Sequence, residues 1–516
     1  MRSMPFANAT ARTVWMTDME PAPLDSASQH TAEALLELTQ QLLREVHPQR
    51  REDQGLTLDS HFEKDIGLDS LARVELIARV EKHFQLALPE RTFAEIETPR
   101  DLLRALRGAQ APAPAASVAA GAAPSRVPSS TPDAAQTLVE VLDWHVAQHP
   151  DRPHIQLYED QRDGDVISYR QLHERAQRVA AGLQQRGLQA GEPVSIMLPS
   201  GPAYFYSFFG ILMAGGIPVP IYPPARPAQL EDHMRRHVRI LNNCRTHTLI
   251  TVSEAQRVAR LLRSQVPSLR HIVSAEELGA TTGRAALPTP AASDTAFIQY
   301  TSGSTKFPRG VVIKQRSVMS NLGGIIRHGV KIGPGDRCFS WLPFYHDMGL
   351  VGLVLVPVAA QLSVDYLDTR EFAMRPRQWL NLMTQTKATI SFGPPFGYEL
   401  CTRRLRPGEA TKYDLSNWRV AGVGAEMIRS ETLTRFAQAL KPAGFNENAF
   451  LACYGMAECS LAISFAPLFQ GHSTDCVDGD YHSDFQEALP IHLSENPGRA
   501  RCFVDCGTPL PEYEVE

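Results

Sequence analysis

A loop rich in hydroxyl side chains and glycine lies between two apolar stretches of the sequence, residues 296–298 and 311–313. Glycine gives such a loop backbone angles that other residues avoid, so successive N–H groups can converge on an anion. A following arginine adds positive charge in a fork that suits phosphate. The candidate phosphate-binding residues are Thr301, Ser302, Gly303, Ser304, Thr305 and Arg309. The same composition is typical of a plain hairpin turn, so the loop alone leaves both interpretations open.

A second candidate for chemistry is Ser70, within Gly-Leu-Asp-Ser-Leu at the start of a predicted amphipathic helix. A serine at an exposed helix start can be reached by a modifying enzyme, and the nearby acidic residues Asp65 and Asp69 suit the basic surfaces of partner enzymes. A simple helix cap is the alternative explanation. An earlier Leu-Asp-Ser ends at Ser60 but has no periodic helix behind it, so Ser70 is preferred.

The overall composition excludes several classes of protein. The 516 residues, 43% hydrophobic and 21% charged, are typical of a globular chain with more than one domain. A net charge of -5 gives no indication of nucleic-acid binding. The most apolar stretch, Tyr204–Tyr222, is interrupted by glycine and proline, which disfavours a membrane span, and no signal peptide is evident. The eight cysteines lack metal-ligand spacing and are predicted to be reduced thiols of a cytoplasmic protein.

The elements that must position Ser70 form a first predicted module. Residues 1–30 lack sustained periodicity and are predicted to be mobile. Within residues 31–107, apolar spacing predicts four helices and hence a small four-helix bundle, the last helix capped by Thr98. Residues 108–135 are rich in alanine, proline and serine, which predicts a linker.

Residues 136–516 form a second predicted module, in which helices and strands alternate as in α/β layers with mixed sheets and flanking helices. The phosphate loop follows one of these strands. Three further motifs come after it in order: Trp341–Leu350, which contains His346 and Asp347, then Gly422–Glu426, and then Cys453–Glu458.

These motifs carry two resemblances. The first module resembles acyl carrier proteins, with Ser70 in the place of the phosphopantetheine attachment site and with Asp59 and Phe62 where that family's preceding loop carries Asp and Phe. The second resembles the large N-terminal subdomain of the adenylate-forming superfamily. Within that superfamily, the amino-acid sequence of residues 346–349, 372–380 and 393–400 resembles that of the fatty acyl-AMP ligases. An inserted segment, often found in these ligases, is expected between about Asp365 and Leu415.

The resemblance implies a reaction in two steps. A fatty carboxylate attacks the α-phosphate of ATP to give an acyl-adenylate and pyrophosphate, and a phosphopantetheine thiol then captures the acyl group. The implied cofactors are ATP, Mg²⁺ and 4'-phosphopantetheine on Ser70. The implied partners are a phosphopantetheinyl transferase, an acyl carrier domain in cis or in trans, and the downstream modules of a polyketide or lipopeptide assembly line.

The same resemblance implies roles for the downstream motifs. Glu458 would bind Mg²⁺, and His346 beside Asp347 would lie at the substrate carboxylate or gate the acyl channel. The adenine side would be formed by Gly424, Ala425, Glu426, Tyr454 and Gly455. Structural explanations stay open for each: a helix-start residue for Glu458, a satisfied pair for His346 and Asp347, and core packing for Tyr454.

Two departures from the superfamily pattern affect these expectations. Its loop usually continues Gly-x-Pro-Lys, whereas Lys306 and Arg309 replace the glycine and the lysine here. Relatives continue with a ribose-binding aspartate, a hinge and a C-terminal subdomain that carries a catalytic lysine, none of which occurs before Glu516. We therefore expect this chain to be a truncated form that binds nucleotide weakly and adenylates poorly.

Three other functions compete with the ligase. An acyl-CoA synthetase is disfavoured by the fused carrier. An amino-acid adenylation domain is disfavoured because no acidic residue for an α-amine is apparent near His346. A non-catalytic scaffold that docks the carrier belongs to a different class, and the phosphate-loop residues weigh against it. Whether Ser70 is acylated by this domain or by another enzyme stays open.

Overall fold

The computed structural model describes most of the chain in a series of ranges. These are residues 26–46, 56–62, 65–66, 98–107, 131–159, 162–223, 230–253, 262–281, 286–301, 309–485, 487–492 and 498–515, with positions 76, 79–80, 83–84, 96 and 256. The chain divides into two compact units, Met1–Ala116 and Ser117–Glu516. Among the described residues, no helix combines the length and apolarity needed to cross a bilayer.

The N-terminal unit has a helical hydrophobic core. Its described helices are Ser26–Val46 and Pro99–Arg107. Leu35, Phe62 and Leu102 are almost fully buried in one cluster, to which Leu76 and Val80 also belong. The clustering agrees with the apolar spacing that predicts a small helical carrier. Most of the predicted second and third helices lie outside the described residues.

The first helix begins earlier than the sequence predicts. It starts at Ser26, so the last five residues of the segment predicted to be mobile, 1–30, are helical. These residues contain neither proline nor glycine and are compatible with a helix, but they carry no large apolar side chain. Apolar periodicity could therefore not detect them. Residues 1–25 and most of the predicted linker, 108–130, lie outside the described residues.

The C-terminal unit contains strands that we number β1 to β17 in chain order. They are Pro153–Glu159, Arg162–Ser168, Pro193–Met197, Ile217–Pro220, Thr248–Thr251, His271–Val273, Thr295–Thr301, Arg309–Lys314, Cys338–Ser340, Val364–Leu367, Ile390–Gly393, Val420–Val423, Phe450–Gly455, Ala462–Phe465, Thr474–Asp478, Ala500–Val504 and Thr508–Pro509.

Helices alternate with these strands in the same unit. The α-helices are Leu138–Gln148, Tyr169–Gln185, Pro202–Met213, Leu230–Asn243, Ala275–Gly279, Gln315–Gly324, Val356–Ala359, Thr369–Met374, Arg377–Thr386, Pro395–Arg404, Ser430–Leu440 and Gly479–Phe485. Two π-helices, Ile325–Gly329 and Met348–Leu355, continue directly into or out of α-helices. The 3-10 turns are Glu409–Lys412, Lys441–Ala443, Glu447–Ala449 and Ala457–Cys459.

The largest sheet has the strand order β17-β14-β13-β12-β11-β9-β10-β1-β2. Strands β1, β10, β9, β11, β12 and β13 are parallel, and antiparallel pairs lie at both edges. A second sheet, β4-β3-β5-β6, is parallel throughout. Strands β7 and β8 form a separate antiparallel hairpin. The mixed sheets with flanking helices confirm the predicted α/β class.

Parallel strands place the predicted motifs at one edge of the large sheet. Strand β9 leads into Trp341–Leu350, β12 leads into the turn at Gly424, and β13 ends within the last motif. The carboxyl ends of neighbouring parallel strands meet at the same edge, which is where ligands bind in open α/β sheets. The range 365–415, predicted to hold an insertion, includes the central strand β11. The predicted insertion therefore cannot occupy the whole of this range.

The prediction that all cysteines are reduced is wrong for one pair. Cys476 and Cys502 form a disulfide. They are direct partners across the antiparallel strands β15 and β16. Cysteine spacing could not predict this pair, because the register of the two strands brings the two residues together. The other six cysteines, all within the described part of the chain, are free.

Candidate active site

The C-terminal unit contains a cavity of about 500 Å³ at the carboxyl ends of its strands. One part of its wall is apolar and includes Ile325, Val330, Leu353, Ile390, Phe392 and Phe465. The other part carries polar side chains from the predicted motifs: Thr301, His346, Asp347, Tyr454 and Glu458. Ala425 of the Gly422–Glu426 motif lines it as well, so residues from four separate sequence motifs line one cavity.

The strand that precedes the predicted phosphate loop ends at this cavity. Thr301 ends β7 and lines the cavity, and its strand partner Arg309 begins β8 and is exposed. The hairpin therefore presents both ends of the loop on one side of the unit. The loop's other predicted ligands, Ser302, Gly303, Ser304 and Thr305, lie outside the described residues, as does Lys306.

His346 and Asp347 form an ion pair at the start of a π-helix. His346 Nδ1 lies 2.8 Å from Asp347 Oδ1, and the same oxygen accepts a hydrogen bond from Met348 N at 2.7 Å. The hydrogen bond to Asp347 raises the pKa of His346, although burial opposes the shift. The pair therefore engages Nδ1 of an imidazole that lines the cavity and is about half exposed, at 54%.

A buried glutamine ties this pair to the phosphate hairpin. Gln299, two residues before Thr301 on β7, is 3% exposed and donates from Nε2 to Tyr345 O at 2.7 Å. Sequence reasoning missed this residue because a single glutamine in an apolar strand carries no motif. The hydrogen bond holds the strand before the phosphate loop against the segment that carries His346.

The π-helix Met348–Leu355 supplies part of the apolar wall, including Gly352 and Leu353. Tyr366, fully buried, donates its hydroxyl to Leu353 O at 2.5 Å and so satisfies one carbonyl of this helix. The run is almost uniformly apolar, so its periodicity could not distinguish a π-helix from an α-helix.

The predicted adenine-side turn follows β12. Ala425 lines the cavity and has φ +70°, a left-handed conformation that non-glycine residues rarely adopt. Glu426 is not among the residues that line the cavity. Its Oε1 accepts a hydrogen bond from Phe396 N at 3.0 Å, at the start of helix Pro395–Arg404. At Gly424 a Cβ would lie 2.8 Å from Cys453 O, so only glycine allows this approach of β12 to β13.

Strand β13 delivers Tyr454 and Gly455 to the cavity wall. Tyr454 is 52% exposed, so core packing does not explain it. At Gly455 a Cβ would lie 2.0 Å from Leu461 O, which excludes any side chain there. The turn after β13 is further held by Asn321, which donates to Ala462 O at 2.8 Å and accepts from Ala462 N at 3.1 Å.

Glu458 lies in the 3-10 turn after β13, lines the cavity and is exposed. It has no hydrogen bond or ion pair with any described residue. The described part of the chain holds no group of three His, Cys, Asp or Glu residues able to bind a metal. This arrangement fits Mg²⁺, which is commonly bound by one or two carboxylates together with substrate phosphates.

Two cavity residues from the N-terminal half of the unit were not predicted. Tyr222 follows β4, and Arg236 belongs to helix Leu230–Asn243; both line the cavity. The guanidinium carbon of Arg236 lies 5.3 Å from the centre of the Tyr222 ring. In the sequence, Arg236 is one of several basic residues on an amphipathic helix, and nothing in the pattern separates it from a solvated charge.

In the N-terminal unit, the residues around the predicted attachment site have structural roles. Asp59 accepts two hydrogen bonds from Arg100, at 2.6 and 2.7 Å. Ser60, the alternative serine, accepts a hydrogen bond from Thr57 N at 2.9 Å within a turn. Ser70 lies outside the described residues.

Comparison with known proteins identifies the class that this fold and cavity define. Residues 142–515 match the family of AMP-binding enzymes, and residues 33–106 match the phosphopantetheine attachment site. The chain belongs to the AMP-binding enzyme family and carries a phosphopantetheine-type carrier domain. The fold is that of the adenylate-forming enzymes, as the sequence predicts.

Individual relatives agree with this placement. A Caulobacter vibrioides protein, whose name assigns it provisionally to the acyl-CoA synthetases, is 36% identical over 355 residues, 68% of this chain and 61% of that protein. A medium-chain-fatty-acid–[acyl-carrier-protein] ligase from Moorena producens is 30% identical over 60% of this chain and 52% of its own. The chain therefore spans between half and two thirds of these relatives.

Among solved structures, one from a study of fatty acyl-adenylate ligases of E. coli and L. pneumophila superposes with a TM-score of 0.70 at 40% identity. The match covers 74% of this chain and 68% of that one. At this identity the likeness extends beyond the fold to the branch of the family, the fatty acyl-AMP ligases.

Proposed function

We propose that this chain activates a fatty acid as an acyl-adenylate and transfers the acyl group to the phosphopantetheine thiol of a carrier domain. The supporting observation is a single cavity with an apolar wall at Ile325, Leu353 and Phe465 and a polar wall at Thr301 and Glu458. A fatty acid likewise has an apolar tail and a polar carboxylate head. ATP supplies the phosphate with which that carboxylate would react.

In the proposed first step, a carboxylate oxygen forms a bond to the α-phosphorus of ATP as the bond from phosphorus to pyrophosphate breaks. Thr301, Ser302, Gly303, Ser304, Thr305 and Arg309 would bind the β- and γ-phosphates. Mg²⁺, held by Glu458 and phosphate oxygens, would neutralise developing charge. The carboxylate of Glu458 is exposed and has no partner within the described ranges, which supports this role.

The proposed nucleotide site continues along the ends of β12 and β13. Tyr454 would stack on adenine, since its ring is half exposed at the cavity wall. Gly424, Ala425 and Gly455 would let the backbone approach the base closely. Glu426 would fix the turn through Phe396 N. His346, held by Asp347, would contact the carboxylate or gate entry to the apolar wall.

In the proposed second step, the thiol of 4'-phosphopantetheine on Ser70, or on a separate carrier, attacks the acyl carbonyl and releases AMP. The domain boundaries proposed for this division are 31–107 for the carrier, 108–135 for the linker and 136–516 for the ligase subdomain. A phosphopantetheinyl transferase would modify Ser70, and synthase modules of a polyketide or lipopeptide assembly line would receive the acyl group. Since ATP and the phosphopantetheine donor are cytoplasmic metabolites, we propose a cytoplasmic location.

A second candidate function is acyl-CoA synthesis. It is favoured by the name of the Caulobacter vibrioides relative and disfavoured by the carrier domain fused to this chain. The two functions share the adenylate and differ only in the thiol that accepts the acyl group.

The test uses the full-length protein, modified by a phosphopantetheinyl transferase and incubated with ATP, Mg²⁺ and dodecanoate, with and without coenzyme A. We expect dodecanoyl-AMP, and acyl mass on the phosphopantetheine of Ser70 or of an added carrier. Ser70→Ala should abolish acylation of the chain itself, and Ser60→Ala should not. Dodecanoyl-CoA as the main product would establish the second candidate instead.

A further inference from the structure

The cavity wall includes an arginine, Arg236, whose guanidinium finds no hydrogen-bond acceptor among the described residues. Arg236 makes no hydrogen bond or ion pair with any described residue, and its Nε atom is buried without an acceptor. Its guanidinium lies over the Tyr222 ring, a contact that holds the side chain in place. A buried guanidinium donor that loses its water without gaining an acceptor carries a substantial free-energy cost.

The position of Arg236 relates it to the substrate head. Tyr222, over which it lies, is 5.9 Å from Tyr345 between ring centres. Tyr345 immediately precedes His346, and its carbonyl accepts the hydrogen bond from Gln299. Through Tyr222, Arg236 is therefore close to the place where the phosphate hairpin and the His346 segment meet.

The charges of the side chains that line the cavity also favour a cation at the position of Arg236. Asp347 is hydrogen-bonded to His346, whereas Glu458 has no partner among the described residues. Without Arg236, a carboxylate would enter a cavity whose unpaired charge is negative. Arg309, the cation of the phosphate hairpin, is exposed and does not line the cavity.

We propose that Arg236 binds the carboxylate of the fatty acid before adenylation and so selects ionised acids over neutral lipids of the same length. The proposal rests on the proposed fatty-acid activation. A guanidinium presents paired donors that match a carboxylate, and the charged hydrogen bonds formed in a partly buried site are stronger than neutral ones. After adenylation the carboxylate has become a neutral acyl carbonyl, so the attraction favours the free acid over the product.

The test compares two ligands that differ only in charge, dodecanoate and dodecanol, by calorimetric titration of the whole chain. Arg236→Gln should weaken dodecanoate binding about tenfold, and leave dodecanol within about twofold of the wild type. Arg236→Lys keeps the charge and should restore part of the affinity. Arg239→Gln is the matched control, because it removes the same charge from an exposed position three residues along the same helix.

Several results would overturn the assignment. They are equal weakening of both ligands, which indicates a packing role, unchanged dodecanoate binding, or no binding of either ligand by the wild type. A larger loss of ATP affinity than of dodecanoate affinity would assign Arg236 to phosphate instead. If the wild type binds dodecanoate but forms no dodecanoyl-AMP, the proposed activity fails, while a selective loss in Arg236→Gln still supports the carboxylate site.

Discussion

Gln299 Nε2 donates a hydrogen bond to Tyr345 O across 2.7 Å, and this contact joins two motifs that are more than forty residues apart. Gln299 lies just before the phosphate loop, and Tyr345 lies just before the His346–Asp347 pair. The distance between the proposed phosphate site and the proposed carboxylate site is therefore set partly by one buried amide.

Replacing this amide should loosen both sites. Gln299→Met keeps the length of the side chain but leaves the Tyr345 carbonyl without its donor. We expect the free energy of unfolding to fall by about 1–3 kcal/mol, and acyl-adenylate formation to fall with it. Urea denaturation and mass-spectrometric detection of the adenylate measure the two effects. Gln189→Met, at an exposed position, is the control and should change neither; a Gln299→Met variant with wild-type values would contradict the coupling.

The Glu458 carboxylate should affect metal use without affecting stability. Because the side chain is exposed and has no partner among the described residues, Glu458→Gln should leave the melting temperature unchanged. The Mg²⁺ concentration needed for half-maximal adenylate formation should rise at least several-fold, since a neutral amide is a poorer ligand for a hard cation. Glu431→Gln, also exposed, serves as the control. An unchanged Mg²⁺ requirement in Glu458→Gln would remove this residue from the metal site.

Gly455 should tolerate no side chain. Gly455 is in β13, the strand that carries Tyr454. A Cβ on Gly455 would lie 2.0 Å from Leu461 O. We expect Gly455→Ala to lower the free energy of unfolding by about 1–3 kcal/mol and to reduce nucleotide binding, because the backbone must shift. Gly333→Ala is a matched control, since a Cβ there meets no atom within 4 Å. Equal stability of the two variants would show that β13 adapts without cost.

A buried histidine cluster predicts how stability depends on pH. His145 and His154 stack on the ring of Tyr169, with ring centres 4.0 and 4.6 Å apart, and each bonds a backbone carbonyl, of Val358 and Leu362. Burial, together with the charge of nearby Arg152, lowers the pKa of both histidines to about 3, although the hydrogen bonds to the two carbonyls oppose the shift. Both are therefore neutral in the folded protein at pH 5, whereas in the unfolded chain they bind protons below about pH 6.5.

Unfolding thus takes up protons between about pH 6.5 and pH 3, so the protein loses stability as the pH falls through this window. Each of the two histidines should cost about 2 kcal/mol by pH 5. Urea denaturation between pH 7 and pH 5 measures this loss. His154→Gln should reduce the slope of the free energy of unfolding against pH by the amount that corresponds to the uptake of one proton. His328→Gln, at an exposed position, should not reduce it. A stability that is flat over this range would contradict the prediction.

The sequence alone predicted the α/β class and the order of the motifs, because both depend on local periodicity and on the strands that precede each motif. It also named Thr301, His346, Tyr454 and Glu458, which the structure brings to one cavity. For His346, Tyr454 and Glu458 this follows from parallel β-strand geometry, since motifs that follow neighbouring parallel strands meet at one edge of the sheet. Thr301 instead reaches the cavity from the separate β7-β8 hairpin.

The remaining features depend on contacts between distant parts of the chain. Arg236 and Gln299 resemble an ordinary surface charge and an ordinary strand residue until the fold places them beside Tyr222 and Tyr345. The disulfide of Cys476 and Cys502 follows from hairpin register. The start of the first helix at Ser26 was missed because its first turn lacks apolar residues.

Because Met348–Leu355 is a π-helix, the apolar wall of the cavity is sensitive to the insertion or deletion of single residues in this segment. Each residue in a helix turns the following side chains by about 100°. Deleting one residue between Gly349 and Leu355 could restore regular α-helical bonding, yet it would rotate Leu353 and Val356 away from the cavity that they line. Evolution can therefore exchange the side chains with which this segment lines the cavity more easily than it can insert or remove a codon here.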